Sequence, residues 1–166
     1  MLAASIHQTK TALFRDKILA GDIAPRPGLV DLVASLAEAQ IRIAVATTGR
    51  RAWVEPLVSQ LLGEGIVETV VTGDDVTRLK PDPEVYLRAR TELDLSPDNV
   101  LAVEDSALGL RSAVAAGIAT LVVTTDYTAG QDFSGAALVG SEFDGACPLL
   151  APGCRRLHRR WWTDRQ

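Results

Sequence analysis

The chain has 166 residues, a net charge of −4, and about half its residues (47%) are aliphatic or aromatic. That is enough apolar material for one domain with a buried core. The acidic balance argues against nucleic acid as the main partner, and the absence of an apolar run of about 18 residues argues against a membrane span. Aromatic residues are only 5% of the chain, so Val, Leu, Ile and Ala must build the core, which suits a buried parallel sheet flanked by helices. Met1–Lys10 holds no long apolar stretch and does not read as a signal peptide. Cys147 and Cys154 form no CxxC pair, and free thiols in a reducing, cytoplasmic compartment are expected.

In chain order, Ile6–Leu19 is expected to be a helix ending at Gly21. Pro25, Arg26, Pro27 and Gly28 form a stiff connector to a helix at Leu29–Ala39, where Leu29, Val33, Leu36 and Ala37 share one face. The β-branched run Ile41–Ala46 predicts a buried strand. A helix at Ala52–Leu62 stops at Gly63, and Thr69–Thr72 is a short strand. Asp82 caps, and Pro83 opens, a helix at Glu84–Glu92. Val100–Val103 is a strand, Ser106 caps a helix at Ala107–Ala116 that Gly117 ends, and Ala119–Val123 is the last strand. The alternation predicts an α/β fold, a three-layer open parallel sheet with helices on both faces. After Thr124 the pattern dissolves, and the tail beyond Pro152 is expected to be disordered. That tail is basic: Arg155–Gln166 carries five arginines against one aspartate.

In open parallel sheets the site lies beyond the carboxyl ends of the strands. After the strand at Ile41–Ala46 come Thr47, Thr48, Gly49, Arg50 and Arg51. After Thr69–Thr72 the chain reaches Lys80 by way of Asp74 and Asp75, and after Val100–Val103 come Glu104 and Asp105. One edge therefore offers hydroxyls, basic groups and two adjacent carboxylates, a mixture suited to a phosphorylated substrate held with a divalent metal. Each residue also has a plainer reading. Thr47 serves as a strand-end hydroxyl, Lys80 as a loop lysine, Glu104 and Asp105 as acids at a helix amino end, and Arg50 and Arg51 as surface charges. Against the plain reading of the two acids, they repel each other unless a cation sits beside them.

Three strings at these strand ends carry a resemblance. Ile43, Ala44, Val45, Ala46 and Thr47 form the first. Leu79, Lys80, Pro81, Asp82, Pro83, Glu84, Val85 and Tyr86 form the second. Val103, Glu104, Asp105 and Ser106, followed by Gly109, Leu110 and the Ala115–Gly117 turn, form the third. Together they resemble three of the four motifs of the haloacid-dehalogenase (HAD) superfamily, in the branch of β-phosphoglucomutase and the CbbY-like phosphatases, over roughly Ile6 to Asp132. The resemblance implies a Rossmann-like HAD core. In it Thr47, with Thr48 beside it, binds phosphate, and Lys80 holds nucleophile and phosphate together. Asp105 is a direct Mg²⁺ ligand with Glu104 in support, Arg50 touches a second anionic group, and Lys10 faces the site from a residual cap helix. The substrates implied are bisphosphorylated pentoses of the carbon-fixation (Calvin) cycle.

The departure from the pattern lies at motif I. The family begins with a strand ending in Asp-x-Asp-Gly, whose first Asp attacks phosphorus to form an aspartyl-phosphate while the second serves as acid/base. No such string occurs here, and Glu142–Gly145 resembles it only by coincidence. The chain thus resembles an N-terminally truncated member, with residues 1–24 a residual cap helix, 25–150 an incomplete core and 151–166 a basic tail. It is expected to lack the first central strand and most of the helical cap, and to be inactive as it stands. Two other readings remain: a non-catalytic remnant that binds phosphate or a partner protein, and an accessory protein that meets nucleic acid or membrane through its arginine-rich tail.

Overall fold

A computed structural model describes residues 17, 18, 21 and 23–165. Most of the helix expected at Ile6–Leu19 lies outside the described residues, as does Lys10. In chain order the elements are α1 (Leu29–Glu38), β1 (Ala44–Ala46), α2 (Arg51–Leu62), β2 (Thr69–Val71), α3 (Glu84–Glu92), a 3₁₀ turn at Pro97–Asn99, β3 (Leu101–Glu104), α4 (Ala107–Ala115), β4 (Ala119–Val123), β5 (Leu138–Gly140) and α5 (Ala151–Thr163). This is an α/β chain with parallel strands throughout.

The strands do not form one sheet. β1 pairs with β2 and β3 with β4 and β5, so the described residues hold a two-stranded and a three-stranded sheet in the orders β1-β2 and β3-β4-β5. Between β1 and β3 lies a cavity of about 890 Å³ whose walls include Ile43–Ala46 and Val100–Val103. Burial follows this division. Every residue of β4, which has neighbours on both sides, is buried, whereas β1 is only half-buried along its length and Val103 of β3 is 41% exposed.

The backbone of β1 shows which groups the gap leaves open. Thr47 N donates to Val71 O and Glu68 N donates to Ile43 O, so the odd-numbered residues of this stretch face β2. By alternation Ala44 and Ala46 point into the gap. There the Ala46 carbonyl accepts a hydrogen bond from the Lys80 ammonium rather than from a strand.

Two apolar clusters form the core, and the first of them joins the half-sheets. In the first, Val71 of β2, Val85, Tyr86 and Ala89 of α3, Ala102 of β3 and Ala113 of α4 pack as one unit. In the second, Leu32 of α1, Leu121 and Val123 of β4, Cys154 of α5 and Phe143 from the loop before α5 pack together. The Ser112 hydroxyl, buried on α4, donates to Asp82 O at 2.6 Å and ties the loop before α3 to the second half-sheet. Arg26 gives the connector before α1 its anchor. Its guanidinium donates to Val123 O, Thr124 O and Ser141 O at 2.8–3.0 Å and lies 5.3 Å over the Phe143 ring.

Two expectations are corrected. The stretch after Thr124 contributes a further parallel strand, β5, beside β4. The tail from residue 151 is a helix rather than disordered, with Pro152 in its first turn, Ala151 and Cys154 buried against the body and Leu157 packed behind them. The helix Ala151–Thr163 is therefore packed on the core. Arg155 donates to Ala39 O, and the Ala151 amide is received by the Ser35 hydroxyl. Phe143, within the Glu142–Gly145 string, is a core residue.

If the gap is open in solution, amide exchange should distinguish the two sides of β1. The amides of Ala44 and Ala46 are expected to exchange roughly ten- to a hundredfold faster than those of Val45 and Thr47, the ratio that corresponds to about 1–3 kcal/mol of missing pairing. Equal protection on both sides of β1 would mean the gap is closed.

Candidate active site

The carboxyl ends of the two half-sheets meet at Lys80. Its ammonium donates to Ala46 O at the end of β1 (3.0 Å) and to Glu104 Oε1 at the end of β3 (2.5 Å). The pair is sheltered, with the Lys80 side chain 14% and the Glu104 side chain 7% exposed. The Tyr86 hydroxyl donates to the same Glu104 oxygen, and the Lys80 ammonium lies 4.9 Å from the Tyr86 ring centroid. Burial, and next the charge of Glu104, push the Tyr86 hydroxyl well above its ordinary pKa, so it remains a donor. The cation that the two adjacent acids call for is therefore present in part: Lys80 serves Glu104, while Asp105 stays exposed.

Glu104 reaches this position because α4 has no side chain in its way. A Cβ on Gly109 would stand 1.8 Å from Glu104 Oε2. Ser106 caps the same helix as expected, its hydroxyl accepting from Gly109 N at 3.3 Å. The Ala107 amide is received by Gln131 Oε1 at 2.8 Å, a partner from far along the chain.

Thr47 is half-buried, and its hydroxyl oxygen accepts from Gly49 N at 3.1 Å. That leaves its proton free to be donated to an anion at the strand end. Thr48 is exposed beside it. The loop is pinned to the one after β2, since Gly73 N donates to Gly49 O at 2.8 Å and a Cβ on Gly73 would come within 2.5 Å of Thr48 O.

The arginines divide into two roles. Arg51 is bound in place by Asp75 and Glu55 and by Val70 O at 3.1 Å. Arg50 is 73% exposed and pairs with Asp74 at 2.6 Å, so an anion would have to compete with Asp74 for it. Asp75 organises the loop by accepting from the Thr72 hydroxyl (2.7 Å) and amide (2.8 Å) as well as from Arg51. Those Thr72 bonds foremost hold its carboxyl below the usual range.

The structure thus brings Lys80 and Glu104 into contact at the same edge as Thr47, and places Asp105 immediately after β3. The sequence reading missed Tyr86, Gly109 and Asp75 as site-building residues. The first two stood inside the recognised strings, but their roles depend on contacts across the fold. Among the described residues no group of three or more His, Cys, Asp or Glu side chains is placed to hold a metal ion. Asp105, with Glu104 committed to Lys80 and Tyr86, falls short of a Mg²⁺ site by itself.

Residues 4–123 match the haloacid dehalogenase-like hydrolase family. The chain is 39% identical over 136 residues to protein CbbY of Rhodobacter capsulatus, covering 80% of this chain and 60% of that protein. To CbbY of Cereibacter sphaeroides it is 41% identical, with 80% and 59% covered. It therefore spans about 60% of the length of these curated relatives. Among solved structures, CbbY from Rhodobacter sphaeroides in complex with phosphate superimposes with a TM-score of 0.80 at 37% identity, covering 93% of this chain and 69% of that one. A mutant of it in complex with xylulose-(1,5)bisphosphate does so with a TM-score of 0.80 at 38% identity, covering 91% and 68%.

Gly109→Ala is the sharpest test of the Glu104 placement, because two effects oppose each other. Helix propensity favours alanine by about 1 kcal/mol, whereas overpacking costs about 1–3 kcal/mol. The substitution is expected to lower the denaturation midpoint in the parent chain, and to produce no further loss when it is made in a chain that already carries Glu104→Ala. A gain in stability from Gly109→Ala alone would show that Glu104 does not lie over this turn.

Proposed function

The chain belongs to the haloacid dehalogenase-like hydrolase family, and from that premise we propose that its site is the phosphate-binding half of a CbbY-like phosphatase for a pentose bisphosphate. The observation that carries the reading is Lys80, held at the carboxyl ends of both half-sheets beside Glu104. A sheltered ammonium at this edge neutralises a phosphoryl group, and the Thr47 hydroxyl donates to one of its oxygens. Arg50, released from Asp74, meets the second phosphate, and Thr48 lies within the same loop. Lys10 is assigned to the substrate side from the family likeness alone. Mg²⁺ is the metal that this likeness calls for, with Asp105 as its direct ligand. Bound there, it would neutralise phosphoryl charge, and the carboxylates to complete its shell are not among the described residues.

The chain as given holds phosphate without turning it over. The sequence contains no Asp-x-Asp-Gly string, and Asp74 and Asp75 are committed to Arg50, Arg51 and Thr72. The chain alone would then act as a non-catalytic phosphate binder, and the same residues become an active site only when a nucleophilic carboxylate is added.

The test is a phosphate-release assay with Mg²⁺ and sugar bisphosphates, run on this chain and on a version extended with a family-like N-terminal segment. The extended chain is expected to turn over, with a loss of at least about a hundredfold on Asp105→Asn, and the chain as given is not. Mg²⁺-dependent turnover by the short chain, abolished by Asp105→Asn, would overturn this account of where the nucleophile comes from.

A further inference from the structure

We propose that the outer face of α5 is a docking surface for a short acidic segment of a partner protein, whose carboxylates meet Arg155, Arg156, Arg159 and Arg160. The inference rests on this helix and is independent of whether phosphate is the ligand at the carboxyl ends of the strands.

The helix sorts its residues onto opposite sides. Ala151 and Cys154 are buried, and Leu157 packs behind them. At about 100° per residue, the four arginines fall within an arc of about 140° on the side away from that stripe. All four are exposed. The backbone beneath them is fixed to the body, since the Ala151 amide donates to the Ser35 hydroxyl and Arg155 donates to Ala39 O, each at 3.1 Å. The face is therefore presented ready-made, and a partner does not have to order the helix first.

Counter-charge from the chain itself is scarce on this face. Arg160 has Asp164 at 3.5 Å, with both side chains well exposed, and Arg155 is met by a carbonyl rather than a carboxylate. Arg156 and Arg159 have no ion pair among the described residues. Arg155 and Arg159 are four apart, as are Arg156 and Arg160, so like charges face each other in two columns, an arrangement that weakens a helix unless it is neutralised. The fifth arginine, Arg165, lies over the Trp161 ring at 3.2 Å instead. An acidic helix with glutamates at i and i+4 carries the matching spacing, and guanidinium groups take carboxylates in forked pairs.

The rest of the chain selects among anions. Arg155–Gln166 carries five arginines against one aspartate, so with −4 overall the 154 residues before it carry −8. The arginine face extends about 7.5 Å along the helix, and charges are screened only beyond about 8 Å at physiological salt. A nucleic-acid backbone or an anionic bilayer continues past this footprint and meets the acidic body inside the unscreened range. A short acidic segment ends where the arginines end. A bilayer is disfavoured further because the apolar stripe that an interfacial helix would insert is already packed on the core.

The probe is a fluorescein-labelled, alanine-based helical peptide of about 15 residues with two i,i+4 pairs of glutamates, titrated with the full chain by fluorescence anisotropy without phosphate or metal. A control peptide carries glutamine at the same positions. The glutamate peptide is expected to bind at least about tenfold more tightly than the control, with the difference shrinking as salt rises. The double variant Arg156→Glu, Arg159→Glu should lose that preference and bind a peptide with lysines at those positions instead, a rescue that a merely unfolded chain would not give. An oligothymidylate of about 16 nucleotides and vesicles of phosphatidylserine and phosphatidylcholine are titrated in parallel. Equal binding of the glutamate and glutamine peptides, a double variant that keeps the preference or rejects the lysine peptide, or tighter binding of the oligonucleotide or the vesicles than of the glutamate peptide would each overturn the proposal. Since no phosphate is present and the variants leave Lys80 and Thr47 unchanged, failure here leaves the phosphate site standing, and failure of the phosphate site leaves this result unaffected.

Discussion

The structure depends on one sheltered cation, the Lys80 ammonium. Lys80 is the polar group that joins the ends of two half-sheets that share no ladder hydrogen bonds. Such a pair contributes little net stability against an apolar replacement, but removing one partner leaves an uncompensated buried charge and costs about 3–5 kcal/mol. The surrounding sequence is arranged to keep it satisfied. Tyr86 donates to the same carboxylate, Gly109 leaves room for it, and Ser112 fixes the loop that delivers the lysine. The arrangement that closes the fold at this edge also holds a positive charge at the site proposed above for a phosphoryl group. Stability and function therefore draw on the same side chains.

The gap sets the opposing constraint. A domain is stable by only about 5–15 kcal/mol, and each buried backbone group without a partner costs about 1–3 kcal/mol. The half-sheets remain together because an apolar cluster on one face spans them, from Val71 of β2 to Ala102 of β3, while on the other face Leu32 of α1 packs against Leu121 and Val123 of β4. Among the described residues the facing edges themselves stay unpaired. Unpaired edges of this kind attract strands from other molecules, and helices on both faces restrict access to a thin, extended chain.

Much of this was legible in the sequence wherever a local signal had one meaning. The helix at Glu84–Glu92 and the strand at Ala119–Val123 form with the bounds expected, because Asp82 and Pro83 mark the one and an unbroken apolar run the other. The run Ile41–Ala46 contributes only Ala44–Ala46 to the sheet, since one side has three residues of β2 to pair with and the other has none. α5 was missed because its arginines dominate its composition, yet Ala151, Cys154 and Leu157 recur at helical spacing and form its inner stripe. β5 was missed because Leu138 and Val139 are about half exposed and carry no core-strand pattern. Within the site, the residue types at the strand ends could be read directly, but the engagement of Glu104 by Tyr86 and of Arg50 by Asp74 arises from tertiary placement that no spacing rule encodes.

The central claim is that β1 and β3 are neighbours without being partners, held apart by a strand-wide gap and joined at one end by Lys80. Nuclear Overhauser contacts in the isotopically labelled chain test it most directly. Paired strands lie about 4.8 Å apart and give strong backbone contacts. The account predicts none between the backbones of Val45 and Val103, together with contacts from the Lys80 side-chain terminus to both Ala46 and Glu104. Strong backbone contacts between Val45 and Val103 would show that the two strands close directly on each other and would contradict the account.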